Sequence, residues 1–166
     1  MANLSYHATS LIDFGIRSYD LRMDDIGRTL CLEPTKAFEK GEKYLGRERA
    51  PDGGVRNIDR VRPYGVWHYC TDEFIHSNSI DTHGLFLLGK LEPVAEHIHR
   101  YLADDTYFTQ MTIWHVGAGG FNVSAGILCR LAALCEHFRI VCWESGAEEP
   151  QDRIPDGWDP DREPRA

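Results

Sequence analysis

From Tyr6 to Arg17 the apolar residues Tyr6, Ala8, Ile12, Phe14 and Ile16 recur at period two, while His7, Thr9, Asp13 and Arg17 fall mostly on the other side. That alternation predicts a strand with one buried and one wet face. At Asp20 the spacing changes: Met23, Ile26 and Leu30 repeat at three and four, with Asp24 and Asp25 where a helix dipole favours acids. A helix over 20–32 is therefore expected, ended by Pro34. Gly65 to Phe74, rich in aromatic and β-branched residues, predicts another strand. Ser79 is placed to cap a helix running to about Lys90. Pro93 occupies a first helical position, and Val94, Ile98, Tyr101 and Leu102 form the stripe of a further helical segment.

Tyr107 to Val116 reads as a second long strand, closed by Gly117-Ala118-Gly119-Gly120. Ser124 then caps a helix with Ile127, Leu128, Leu131, Leu134 and Cys135 on one side, and Phe138 to Trp143 is a short strand. Two strand-helix-strand units thus flank a central helical pair. The helices over 21–32 and 123–134 echo each other weakly, as in an internal pseudo-repeat. Apolar periodicity stops at Trp143. Residues 145–166 hold four prolines, seven acids and three arginines, with Ile154 and Trp158 the only large apolar residues. So polar a segment cannot repay its ordering entropy, so it reads as an acidic, proline-rich tail to a single globular domain over 1–144.

Composition narrows the class. The 166 residues carry 18 Lys plus Arg against 26 Asp plus Glu, a formal charge of -8, which argues against nonspecific binding to nucleic acid or an anionic membrane. No signal-like segment and no long apolar run occurs. The five cysteines, Cys31, Cys70, Cys129, Cys135 and Cys142, are scattered and never spaced Cys-x-x-Cys, as expected of buried thiols in a reducing cytoplasm.

Each candidate for chemistry competes with a simpler role. His97 and His99 would lie about 200° apart on a helix and could not share one ion, and no other spacing suits a metal. His68, Cys70 and Asp72 alternate on one strand face in the manner of an oriented thiolate, yet nothing in the sequence supplies an electropositive setting, and a packed cysteine is the expectation. Cys129 and Cys135 are expected in the core. The glycine run at 117–120 matches no phosphate-binding signature and reads as a strand-to-helix turn. Lys40, Lys43, Arg47, Arg49, Arg56, Arg60 and Arg62 face only four acids between 40 and 62, around a Pro51-Asp52-Gly53-Gly54 turn. This basic stretch, a long loop or a hairpin, is the place where an anion could be gripped.

Asp20-Leu21-Arg22-Met23-Asp24-Asp25-Ile26, Leu30, Leu32, Pro34-Thr35, Lys40-Gly41-Glu42, Gly65-Val66-Trp67, Leu87-Leu88 and Leu91-Glu92-Pro93 together resemble the bacterial domain-of-unknown-function family 4279, over about residues 11–143. In that family a serine usually follows the tryptophan by a few residues; here Thr71 stands near that place. The resemblance implies a compact cytoplasmic α/β domain and transfers no catalytic residue set.

The expected architecture is α/β of the α+β type, a single domain with a mostly antiparallel or mixed sheet and helices on one face, because each strand shows one polar face. The expected function is a non-catalytic cytoplasmic protein-binding module, concretely an immunity-type protein that neutralises a basic toxin through Asp24, Asp25, Glu92 and Glu96. The competing reading is a small enzyme or sensor for a phosphorylated or anionic molecule, using Arg47, Arg49, Arg56 and His68. No catalytic residue, metal or cofactor is assigned.

Overall fold

The first alternating segment becomes β1 (Ser10–Ser18), the middle strand of a five-stranded sheet. The computed structural model describes residues 10–20, 22–49, 53–116 and 121–143. The glycine run at 117–120 and the tail at 145–166 lie outside them. After β1 come α1 (Met23–Leu30), the short β2 (Lys36–Phe38), a hairpin of β3 (Lys43–Arg49) and β4 (Val55–Val61), and β5 (Gly65–Cys70). A 3-10 turn at Thr71–Glu73 leads to α2 (Ile80–Leu91), a second at Glu92–Val94 to α3 (Ala95–Leu102), and β6 (Tyr107–Val116), α4 (Ala125–Ala132) and β7 (His137–Trp143) complete the order.

The main sheet runs β2-β5-β1-β6-β7 and is mixed, with β6 and β7 its one parallel neighbouring pair. The expected α+β class holds, as does the second strand-helix-strand unit, whereas the first, expected to run from β1 through α1 to β5, is interrupted by β2 and the hairpin. The unit β6-α4-β7 joins neighbours, whereas β1-α1-β2 steps over β5. The hairpin forms a separate two-stranded sheet.

One face of the main sheet meets the helices. Ile12, Phe14 and Ile16 of β1, Trp67 and Tyr69 of β5, and Met111 and Ile113 of β6 join Met23, Ile26, Leu30, Leu87, Leu88, Leu91, Ile98 and Leu131 in one core. Met23, Ile26 and Leu30 are the stripe expected of α1. Its N-terminus is capped from a distance, since the Met23 N–H donates to Glu39 Oε1 at 3.0 Å. Its end turns at Cys31, whose φ of 52° is left-handed. Ser79 caps α2 as expected, accepting from the Thr82 N–H at 3.3 Å. Ser124 precedes α4 but does not cap it through its side chain; its N–H donates to Asp81 Oδ1 at 2.8 Å and its hydroxyl to Asp81 Oδ2.

Three expectations are corrected. The second face of β1 is not wet: Gly15 and Arg17 are buried and Asp13 is half-buried, because β1 sits between two strands whose side chains crowd around it. Cys129 is exposed rather than in the core, since it lies two residues, about 200° around the helix, from the buried Ile127. Cys31 and Cys142 are likewise exposed, so of the five free thiols only Cys135 is buried.

Candidate functional site

Opposite the helices, the sheet carries a polar face. The registers put Asp13, Gly15 and Arg17 of β1 beside Cys70, His68 and Val66 of β5, and beside Thr112, Gln110 and Phe108 of β6. Gly15 makes the central contact possible: a Cβ there would stand 3.2 Å from His68 Cε1, so its absence lets the imidazole lie across β1. His68 Nδ1 then reaches the Asp13 carboxylate at 2.8 Å to Oδ2 and 3.1 Å to Oδ1. A stacked row flanks this pair. The Arg17 guanidinium sits between the rings of Tyr64 and Phe108, 5.2 and 4.9 Å from their centroids, and Phe108 stacks on His137 at 4.5 Å.

The concavity among these residues has a volume of ≈ 10 Å³, about the space one water needs. It is no substrate-sized pocket. Cys70 lies on the same face, half-buried, where burial first and the Asp13 carboxylate second push its thiol well above the ordinary range. A thiol so held stays protonated and is a poor nucleophile. His68 is oriented by Asp13 rather than by Cys70 or Asp72. The sequence signal for Asp13 was its place among the polar positions of β1; what pattern reading missed is the cross-strand step that pairs it with His68 on β5.

The sites expected from sequence separate. Arg47, Arg49 and Arg56 lie on the hairpin sheet, whereas His68 lies on the main sheet, and the concavity that holds His68 contains none of the three arginines. Within the hairpin, Arg56 pairs with Glu48 at 2.6 Å, Arg60 lies over Gly46, and Arg62 stacks between Phe38 and Tyr44 at 3.7 and 4.5 Å. Those contacts occupy one face. On the other, Lys43, Leu45, Arg47 and Arg49 face Val61, Asp59, Asn57 and Val55, and all eight are exposed.

The four acids expected to meet a partner sit on or beside helices, each paired with an arginine: Asp24 with Arg22 at 3.4 Å, Asp25 with Arg28, Glu92 with Arg130 at 2.6 Å and Glu96 with Arg100 at 3.0 Å. Arg130 holds the Glu92 carboxyl below its ordinary range. His97 and His99 fall on α3, as read. Among the described residues, no group of three or more His, Cys, Asp or Glu is placed to hold a metal, and no helix is long and apolar enough to cross a membrane.

The residues shared with the resembled family do structural work. Thr35 donates its hydroxyl to the His68 carbonyl and accepts from the Cys70 N–H at 3.0 Å, tying β2 to β5. Lys40 donates to the Tyr19 carbonyl at 3.1 Å, and Gly41 turns with φ 86°. Thr71 is the centre of a buried relay: the Ile12 N–H donates to its Oγ1 at 2.9 Å, its hydroxyl donates to His83 Nδ1 at 2.7 Å, and His83 Nε2–H donates to the Ser77 carbonyl at 2.8 Å. Since a carbonyl only accepts, the bond to Ser77 requires a proton on Nε2, which in the neutral imidazole leaves Nδ1 as the acceptor for Thr71.

Fold and surface together define an α+β sheet-and-helix domain with a projecting hairpin and a shallow polar sheet face. The chain belongs to the family described as Domain of unknown function (DUF4279), matched over residues 7–142. No curated protein matches it, and no solved structure does.

Proposed function

We propose that this chain is a non-catalytic protein-binding module that docks an acidic protein surface on the outward face of the β3–β4 hairpin. The observation that carries this is the exposure of that whole face, with Leu45 at 71%, Val61 at 56% and Val55 at 52% set among Lys43, Arg47 and Arg49. Apolar residues ringed by arginine match the make-up of protein interfaces, and an isolated two-stranded hairpin gains most of its order from whatever covers it. The water-sized concavity and the protonated Cys70 thiol favour binding over turnover.

In concrete form this is a cytoplasmic, immunity-type protein that occludes a toxin. For a basic toxin the docking surface would be Asp24, Asp25, Glu92 and Glu96. Those acids already share their charge with arginines, so the hairpin is the better supported surface. The reading of His68 with Arg47, Arg49 and Arg56 as one anion site loses support from their placement on separate sheets.

The test is affinity capture from cells of the source, then association rates with the purified partner. Leu45→Ser with Val61→Ser, and Arg47→Glu with Arg49→Glu, should each cut affinity at least tenfold, while Lys at positions 24, 25, 92 and 96 should leave it within about threefold. The reverse ranking would transfer docking to the acidic helices. Turnover of a phosphorylated compound that His68→Ala abolishes would replace the binding reading with an enzymatic one.

A further inference from the structure

We propose that β7 is an interface between two copies of this chain, which pair their β7 edges antiparallel across a two-fold axis and join two five-stranded sheets into one. β7 ends the main sheet, and among the described residues no strand pairs with its outer side. The opposite end, β2, is three residues long, and so short an edge is poor at recruiting strands. β7 has no such protection. Its seven residues include no proline, lysine or acid, Arg139 is their one fixed charge, and Phe138, Ile140, Val141 and Cys142 are apolar. The apolar side of this edge is open. Ile140 stands beside Ile113 of β6, yet Ile113 is fully buried and Ile140 is 47% exposed, so the helix layer stops short of the last strand. Cys142, two residues further on the same side, is exposed as well.

Symmetry and charge point to a second copy as the occupant. A two-fold axis normal to the sheet keeps each side chain on its own face, and opposed residues of an antiparallel pair share a face, so the register must be centred on a residue. Centring on Ile140, the middle residue of β7, is the one choice that pairs the whole strand. Ile140 then meets Ile140 of the copy, Phe138 meets Cys142, and Arg139 meets Val141. Apolar residues meet apolar residues on the helix side, and the two arginines are not opposed. Net charge selects the same edge, since a chain of formal charge -8 repels its copy over most of its surface while β7 brings no acid to the contact. The contact also closes at two copies, because it uses both long edges and leaves the short β2 at each end.

Sedimentation of the full chain at about 50 μM reads this out. The wild type should run as a dimer. Ile140→Lys, at a half-exposed position, should run as a monomer that still unfolds cooperatively in urea, and Ile140→Val should remain a dimer. A cross-link then checks the register, because directly opposed Cα atoms stand about 4.5–5.5 Å apart, within disulfide reach. Under diamide, Ile140→Cys should form a covalent dimer at least tenfold faster than the wild type, whose two Cys142 residues would lie four positions out of register. Arg139→Cys should cross-link no faster than the wild type. A monomeric wild type overturns the proposal, as does cross-linking of Ile140→Cys at the wild-type rate or of Arg139→Cys at the faster one. So does a dimer that Ile140→Lys leaves intact but Leu45→Ser with Val61→Ser dissolves, which would put the contact on the hairpin instead.

Discussion

The two faces of the central sheet begin from the same alternation and end differently. On one, Ile12, Phe14, Ile16, Trp67, Met111 and Ile113 are packed by helices to near-zero exposure. On the other, Asp13, Arg17, His68, Gln110 and Thr112 are held by the hydrogen bond between His68 and Asp13, cation-π stacking and a side-chain hydrogen bond between Gln110 and Thr112 at 3.0 Å. The first gains stability from area removed from water, which tolerates small shifts. The second depends on directional contacts, so each lost partner leaves a half-buried polar group unsatisfied. The helix-packed face therefore sets the stability of the domain, and the polar face is where specificity can reside.

The sharpest way to break the comparison is at Trp67, fully buried between Phe14 and Tyr69. Trp67→Ala should cost about 3–5 kcal/mol in urea unfolding. Trp67→Phe should cost far less, since the indole Nε1 makes no hydrogen bond that would be lost. An equal loss for both would show that the indole does more than fill space. Next comes the relay beneath the helices. Thr71→Val orphans the Ile12 N–H and His83 Nδ1 together and should cost about 2–3 kcal/mol, whereas Thr71→Ser should retain most of that stability. A serine variant as unstable as the valine would assign the role to the methyl group.

On the polar face, Asp13→Ala should cost about 1–2 kcal/mol, less than either change above, because the pair keeps partial access to water. A loss as large as that of Trp67→Ala would abolish the distinction between the faces. The smallest effect is chemical. With its thiol pushed up by burial and by Asp13, Cys70 should resist iodoacetamide near pH 8, as should Cys135, pushed up to about 11, while exposed Cys31 and Cys129 react. The same shifts set a pH window. In the unfolded chain both thiols ionise near their ordinary value, while in the folded chain they keep their protons, so their contribution is intact at neutral pH and declines as pH rises above about 9. Rapid labelling of Cys70 in the native protein at pH 8 would contradict this.

Much of the fold was legible because periodicity is local. The stripe Met23, Ile26, Leu30 located α1, Ser79 and Pro93 marked helix starts, and the change of period at Tyr107 located β6. Strand β2 escaped because three residues carry no period, and its place depends on Thr35 bonding to β5. The expected strand to Phe74 stops at Cys70, where the chain turns to bring the Thr71 hydroxyl to β1. Site geometry was less legible still. His68 was noticed, but its partner Asp13 lies 55 positions away, and strand order, which local pattern does not encode, decides that they meet.

That strand order also governs how the chain reaches its folded state. β1 pairs along its whole length with β6, joining Ser10 to His115, so the middle of the sheet closes only when nearly the entire domain is available. Closing a loop of that length costs about 4 kcal/mol in chain entropy before any pairing repays it. On the ribosome, β1 waits with both edges open until the hairpin and β5 have emerged, and with its β6 edge open until α2 and α3 have followed, so refolding should be slow for a domain of this size, with β6–α4–β7 arriving last to shield it. A chaperone that binds extended apolar strands would find its target in β1, between Ser10 and Ser18, during that interval.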